Sequence, residues 1–379
     1  MQKEVPGRPW QVRQTTLEID SVSLKKNFDL LAKKAKGKEI LVLLKSDAYG
    51  HSHSLISKAL DRLPSTAALH GFGVANVEEG IELRREGIRK PVYVMSGIQH
   101  YDEDLDRCLQ TCDLIPVISS MRVLKEMATV LSKESSKRSI HLKFNTGMNR
   151  LGIELQEVSN CIQFIRSNPQ IHVDGLMSHL AIGEKKSHSL TKKQESHFSA
   201  ICEQFENAGI FAKWKHLCNS SGLESAVFPK GNLVRLGLSI YGLGNRNLHP
   251  VAKWTAQVYQ IREIQKGESV GYGATFQAKK RMKMAVLGVG YGDGYRRAFS
   301  NKAQVLIRGK RCNVIGNVSM DLTMVDVSHV KGVNTNDRAI LLGKDGKDQI
   351  TAEELAKIAK TISWEIVTGI SSRVPRVFV

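Results

Sequence analysis

The chain has 379 residues, 41% of them hydrophobic, which supplies a sizeable core and, at roughly 100–200 residues per domain, predicts about two domains. Its 55 Lys and Arg against 37 Asp and Glu leave a net charge of +18. The densest basic runs, residues 185–193 and 279–283, lack interleaved aromatics and match no helix-turn-helix, RRM or zinc-finger pattern, so no nucleic-acid partner is expected.

The chain lacks an apolar run long enough to span a bilayer, and its opening residues, with Pro6, Pro9 and Trp10, do not read as a signal segment. The cysteines Cys108, Cys112, Cys161, Cys202, Cys218 and Cys312 form no C-x-x-C pair and read as free thiols of a reducing compartment. A cytoplasmic protein with no membrane partner is the expectation.

In chain order, an amphipathic segment at 23–35 precedes an apolar run at 39–44. Further runs fall at 71–75, 91–95, 114–118, 140–144, 172–178, 213–217 and 233–240. Helical patterns lie between them, among them 77–86, 120–131 and 191–207. Eight strands alternating with helices predict a (β/α)8 TIM-type barrel. A doubly wound sheet shares this periodicity, but no G-x-G-x-x-G follows the first strand. After Gly244 the texture changes, with Asn245, Asn247 and Pro250 as a break. Strand-like runs at 254–264, 284–289, 303–307 and 323–327, with one helix at 351–362, predict a mainly β domain. The expected division is therefore 1–245 for the barrel and 246–379 for the β domain, the first 15 or so residues packing with the latter.

Chemistry in such barrels sits at the C-terminal ends of the strands. The first predicted strand ends in Lys45. Partial burial would lower the amine's pKa and free its lone pair for attack on a carbonyl; a lysine snorkelling from a strand end is the plainer alternative. The loops after strands seven and eight, where such barrels bind phosphate, carry Asn219, Ser220, Ser221 and Gly222, and Arg235 to Leu238. A hydroxyl and amides beside glycine suit a phosphate, although Ser220 alone reads equally as a helix N-cap. Taken singly, His179 is an ordinary interior histidine, Arg235 a structural arginine and Tyr272 a strand tyrosine beside turn glycines. His51, His53, His179 and His188 have no metal-ligand spacing such as H-E-x-x-H, so no metal is expected. Residues 288–294 are glycine-rich but lack the closing Gly-Lys-Ser/Thr of a P-loop.

The run Lys45-Ser46-Asp47-Ala48-Tyr49-Gly50-His51 resembles the cofactor-lysine signature of alanine racemases. Eight further motifs resemble that family in the same order: residues 143–152 (KFNTGMNRLG), 177–181 (MSHLA), Asn219-Ser220, 234–242 (VRLGLSIYG), 269–276 (SVGYGATF), 288–295 (GVGYGDGY), Ser319-Met320-Asp321 and 373–376 (RVPR). The resemblance spans nearly the whole chain.

It implies a pyridoxal 5'-phosphate enzyme that interconverts L- and D-alanine, the D-alanine serving peptidoglycan. A racemase of broader or other specificity, for serine or lysine, is the alternative. The matching positions make Lys45 both the cofactor's attachment point and one catalytic base, with Tyr272 as the base on the opposite face. Two bases suit racemisation, because a planar carbanion must be reprotonated from the other side. Tyrosine is a weak base at its ordinary pKa near 10, so Arg235 and His179 are expected as the network that stabilises its phenolate. Arg235 is also expected to face the pyridine nitrogen. Tyr49, Ser220, Gly237 and Leu238 match the phosphate-binding set, with Asn219 expected among the cofactor-binding residues; Arg150 and the Met320 amide match substrate-carboxylate contacts. Lys143 matches a lysine that is carbamylated in many members and positions the arginine. Asp321 accompanies Tyr272, and Tyr291 lines the entrance. The resemblance further implies a head-to-tail homodimer in which Tyr272, Met320, Asp321 and Tyr291 come from the partner. Asn145 and Asn149 depart from the common aspartate and glycine, Ser319 from cysteine, and Ser372 from a tyrosine that reaches the phosphate.

Overall fold

Residues 15–63, 68–228, 230–244 and 247–379 are described by the computed structural model. They divide into two units, Ser21–His249, and Pro250–Val379 together with the chain up to Asp20. Residue 245 of the expected boundary, and residues 1–14 of the segment expected to join the β domain, lie outside the described residues. What is described of that segment is strand β1 (Thr15–Ile19), which pairs antiparallel with a strand of the second unit.

In the first unit, helix Ser21–Ala35 leads into eight parallel strands: β2 (Glu39–Leu43), β3 (Leu69–Val74), β4 (Val92–Val94), β5 (Leu114–Ile118), β6 (Arg138–Lys143), β7 (Ile171–Met177), β8 (Trp214–His216) and β9 (Leu233–Leu236). Their order is β8-β7-β6-β5-β4-β3-β2-β9. Between the two end strands Asn232 N donates to Lys215 O (3.2 Å) and Arg235 N to Cys218 O (3.1 Å). The Asn232 carboxamide reinforces that seam, accepting from Lys215 N (2.9 Å) and donating to Lys213 O (2.7 Å). This is the (β/α)8 architecture expected from the alternation. Leu41, Tyr93, Val117, Met177, Trp214 and Leu233 cluster in the core.

Helices start where the chain leaves a strand's C-terminal end, and polar caps fix the starts. Asn76 caps Val77–Arg85, Asp102 caps Glu103–Thr111, Ser120 caps Met121–Lys133 and Asn219 caps Ser220–Glu224. Each cap oxygen accepts one of the amides that the first helical turn leaves without a partner. The predicted strand 233–240 stops at Leu236, because Gly237 (φ −110°, ψ −107°) breaks the extended path and Leu238–Tyr241 coils into a 3-10 turn.

The second unit is built on β10 (Ala252–Ile264). It continues through the hairpin β11 (Ser269–Val270) and β12 (Phe276–Gln277), then β13 (Met282–Leu287), β14 (Gln304–Ile307), β15 (Lys310–Asn313), β16 (Thr323–Asp326), β17 (Arg338–Asp345), β18 (Asp348–Ile350) and β19 (Arg376–Phe378). An irregularity in register between Val258 and Gln260 divides β10: its first half pairs with β1 and β17, its second with β13. The predicted helix 351–362 is two: Ala352–Ala359 ends at Lys360, which adopts a left-handed cap (φ 55°), and Ser363–Thr368 follows. Strand β17 was not expected. Its five consecutive buried residues, Ala339 to Gly343, lack the alternation that marks a strand.

Candidate active site

Strand β2 stops at Leu43, and Lys45 opens a short helical turn to Gly50. Ser46, Asp47, Ala48 and Tyr49 hold φ between 52 and 54°. The turn is therefore left-handed and built from four successive residues with side chains. Such a conformation costs roughly 1–2 kcal/mol per residue and persists only where surroundings over-determine it. Ala48 N donates to Leu44 O (2.7 Å) and Ser52 N to Asp47 O (3.0 Å). The Asp47 carboxylate accepts from both His53 N and His53 Nδ1 at 2.8 Å. Tyr241 braces the turn's inner side: its hydroxyl donates to Leu43 O (2.9 Å), its ring stacks on His51 at 4.5 Å and it meets Tyr49 at 5.4 Å. Lys45 itself is half-buried. Burial and the charge of Arg150 lower its pKa, with Glu79 opposing them.

Arg235, on β9, is 1% exposed. Burial brings its pKa down to about 10, so it stays protonated at neutral pH. Its Nη1 donates to His216 O (2.7 Å) and meets His216 Nδ1 (3.1 Å). Nη2 donates to Ser178 O (2.8 Å) and Leu217 O (3.0 Å), with His179 Nδ1 at 3.3 Å. A guanidinium has five N–H donors. The four on Nη1 and Nη2 are engaged, and the fifth, on Nε, is buried with no partner among the described residues.

Behind Arg235 lies a relay that the sequence did not announce. His216 Nε2 meets His141 Nδ1 at 2.9 Å, and His141 Nε2 faces the Asp174 carboxylate at 3.9 Å. Arginine only donates, so His216 accepts at Nδ1 and donates at Nε2. His141 in turn carries its proton on Nε2, toward Asp174. Burial keeps both imidazoles neutral, which this pattern requires. His179 is also held neutral, its pKa driven well below 6.5 by burial and then by Arg235, Arg150, Lys143 and Lys45.

On the loops after β8 and β9 the backbone amide of Gly237 donates to Ser220 Oγ (3.0 Å). A β-carbon on Gly237 would stand 2.5 Å from the Tyr49 hydroxyl, so only glycine permits this approach. Burial raises the Tyr49 pKa to about 12, keeping the phenol a hydrogen-bond donor. Asn219, not Ser220, is the helix cap, its Oδ1 accepting from Gly222 N at 2.9 Å. Ser220 is left pointing its hydroxyl at Gly237 and Asn219 positions it. Leu238 opens the neighbouring 3-10 turn.

Lys143 ends β6 and is 4% exposed. Burial, then Arg235, Arg150 and Lys45, lower its pKa to about 8. The loop that follows carries Arg150 and is organised by Asn145. Asn145 Oδ1 accepts from Gly147 N (3.1 Å) and Asn149 N (3.0 Å), and Nδ2 donates to Asn149 Oδ1 and Glu154 Oε1, both 3.0 Å. Asn149 has φ 54°, which explains an asparagine where glycine is common. Gln194, also unanticipated, is fully buried and ties this region to the 177–181 motif, accepting from Ala181 N (2.9 Å) and donating to His179 O (2.8 Å).

The second unit holds the remaining candidates. Tyr272 tops the β11–β12 hairpin between Gly271 (φ 71°) and Gly273 (φ 73°), its carbonyl bound by Asn317 Nδ2 at 2.8 Å, and it is 75% exposed. Tyr291 and Met320 are zipped by backbone bonds, Tyr291 N to Ser319 O (3.0 Å) and Gly292 N to Met320 O (2.9 Å). Ser319 thus contributes its carbonyl, which any residue supplies. Asp321 accepts from Arg373 Nη2 at 2.6 Å, and Arg373 Nε lies 3.7 Å from Asp293, giving the 373–376 motif a structural role. Ser372 is exposed. Among the described residues no cluster of His, Cys, Asp or Glu is placed to hold a metal, and no helix is long and apolar enough to cross a membrane.

Residues 19–245 match the alanine racemase N-terminal domain and residues 251–378 the alanine racemase C-terminal domain. The chain is 34% identical over 380 residues to the alanine racemase of Sorangium cellulosum, covering 97% of this chain and 99% of that one. It is 36% identical over 372 residues to that of Thermodesulfovibrio yellowstonii, covering 96% and 97%. Its fold is similar to crystal structures of alanine racemase from Streptomyces lavendulae (TM-score 0.89, 26% identity, 97% of each chain) and from Bartonella henselae with covalently bound pyridoxal phosphate (TM-score 0.85, 26% identity, 97% and 99%).

Proposed function

The chain belongs to the alanine racemase family, a family of pyridoxal-phosphate-dependent isomerases, and on that premise we propose that it interconverts L- and D-alanine with Lys45 and Tyr272 as its two bases. The observation that carries the reading is the donor count of Arg235: four N–H groups are held by the barrel and one, buried on Nε, is left without a partner. A buried, unpaired donor is unfavourable unless a ligand acceptor completes it, and a pyridine nitrogen is such an acceptor.

The other residues fit the same cofactor. Lys45 is the half-buried amine to which it attaches. Ser220, Tyr49, Gly237 and Leu238 would hold its phosphate, and Asn219 fixes Ser220 through its cap. Pyridoxal phosphate, when bound, supplies an electron sink for the charge left on the substrate's Cα. Because arginine gives up its proton reluctantly, Arg235 would hold the ring nitrogen through Nε without protonating it, which would temper that sink.

Arg150 and the Met320 amide hold the substrate carboxylate. Burial and Arg150 lower the pKa of Lys45, which favours the neutral amine that removes or returns the α-proton on one face. Tyr272 Oη does the same on the other, with Asp321 nearby and Tyr291 narrowing the entrance. Tyr272 and Met320, 75% and 53% exposed on one chain, are apolar-bodied groups at odds with open solvent. A head-to-tail homodimer, in which each chain lends these residues to its partner, resolves that exposure. Lys143, carrying a carbamate, would present an anion to Arg150. The D-alanine formed would serve peptidoglycan.

The test is optical and chemical. Wild-type protein supplied with pyridoxal phosphate should absorb in the visible and lose that band on Lys45→Ala, and a chiral screen across the L-amino acids should give alanine as the preferred substrate. A wild type that stays colourless with added cofactor sinks the proposal.

A further inference from the structure

The left-handed turn that presents Lys45 is closed at its start by its own Ala48 N–Leu44 O bond, and a second restraint there comes from outside the turn. Asp47 and His53 secure its far end. At the near end the first amide, Ser46 N, donates to Glu79 Oε1 at 2.7 Å. The other oxygen of the same carboxylate, Oε2, accepts from Ala75 N, also at 2.7 Å. Ala75 directly follows β3, and Glu79 lies in the first turn of helix Val77–Arg85, whose cap Asn76 binds Glu79 N at 3.0 Å. Glu79 is thus anchored at its own backbone and bridges two chain segments through both oxygens. Charge-assisted bonds of this kind are about twice as strong as neutral ones.

We propose that Glu79 is a positioning residue for Lys45: its carboxylate clamps the first peptide of the left-handed turn to the end of β3 and sets a negative charge beside a lysine otherwise surrounded by cations. Arg150 acts on Lys45 from one side, and Lys143 is coupled to it as well. Glu79 is the group that opposes them, favouring the charged amine while Arg150 and burial disfavour it. The clamp fixes where the amine sits, and the charge governs how readily it takes a proton. The proposal rests on Lys45 being the reactive amine.

Its test reads Lys45 directly in the full-length chain freed of cofactor. The pH dependence of Lys45 acylation by an amine-reactive reagent is followed by peptide mass spectrometry. Glu79→Gln removes the charge and one acceptor, and should move the labelling midpoint to lower pH. Glu79→Asp keeps the charge but shortens the reach, and should leave the midpoint near wild type. In the cofactor-loaded protein both variants should release pyridoxal phosphate to a carbonyl scavenger about tenfold faster, the consequence of losing a charged hydrogen bond. Glu78→Gln, on the same helix and exposed, is the control and should change neither. An unmoved midpoint in a folded Glu79→Gln protein, or unchanged release in Glu79→Asp, overturns the proposal. If Glu79→Gln fails to fold, the release rate of Glu79→Asp decides. Failure of Glu79 leaves the visible band and its loss in Lys45→Ala untouched, so the two readings fall separately.

Discussion

A lysine that is 4% exposed and ringed by Arg235, Arg150 and Lys45 is an unusual residue on which to end a barrel strand. Lys143 illustrates how a single position carries both a stability cost and a chemical opportunity. With its folded pKa near 8 and an unfolded value near 10.5, the unfolded chain binds more protons across that window. Stability therefore rises with pH between about 8 and 10.5 and is lowest where Lys143 is fully charged. In carbon-dioxide-free buffer, urea unfolding of wild type should gain about 2 kcal/mol between pH 7 and 9.5 from this residue. Lys143→Met should lose that gain, and a slope unchanged by the substitution would show that the buried amine stays charged throughout this window, its pKa not lowered. The same depressed pKa leaves a fraction of free amine near neutrality, the form that reacts with carbon dioxide. Nothing in the local sequence announces this: His141 and Lys143 look alike as polar interruptions of an apolar run. Only the neighbours from β9 and the 145–154 loop distinguish a neutral imidazole from a strained ammonium.

At the scale of elements, the barrel strands and their helices were legible because alternation and caps are local. Two elements were not. The turn after Lys45 is written in Ser46, Asp47, Ala48 and Tyr49, of which only Asp47 has a left-handed tendency, and is held by Tyr241, His53 and Glu79 from elsewhere in the chain. Strand β17 was hidden by being buried throughout, which erases the period of two. The 145–154 loop shows the intermediate case. Its motif was visible, yet the reason for Asn149 appeared only with its φ of 54°. Asn149→Gly should be tolerated there, whereas Asn149→Val should lower stability by about 1–2 kcal/mol in denaturant unfolding, because a β-branched residue is poorly accommodated at positive φ. A valine variant as stable as wild type would show that the loop relaxes out of this conformation.

For the whole molecule, the candidate residues fall into two sets, one on the barrel and one on the β unit, and the second set is exposed. If partners share sites, two inactive variants should rescue one another. Lys45→Ala and Tyr272→Ala, each inactive, should regain about a quarter of wild-type activity when unfolded and refolded together, since random pairing leaves half the dimers with one intact site. No recovery would mean that each site is built within one chain. The sequence by itself determined the family, the fold class and the domain order, because hydrophobic period, capping and ordered motifs are properties of neighbouring residues. Tertiary structure alone decided that Arg235 has one donor left, that His179 is neutral, that Asn219 rather than Ser220 caps its helix, and that Glu79 meets the turn of Lys45. Those outcomes depend on distances between strands far apart in the chain and on the removal of water around them, which no local pattern records.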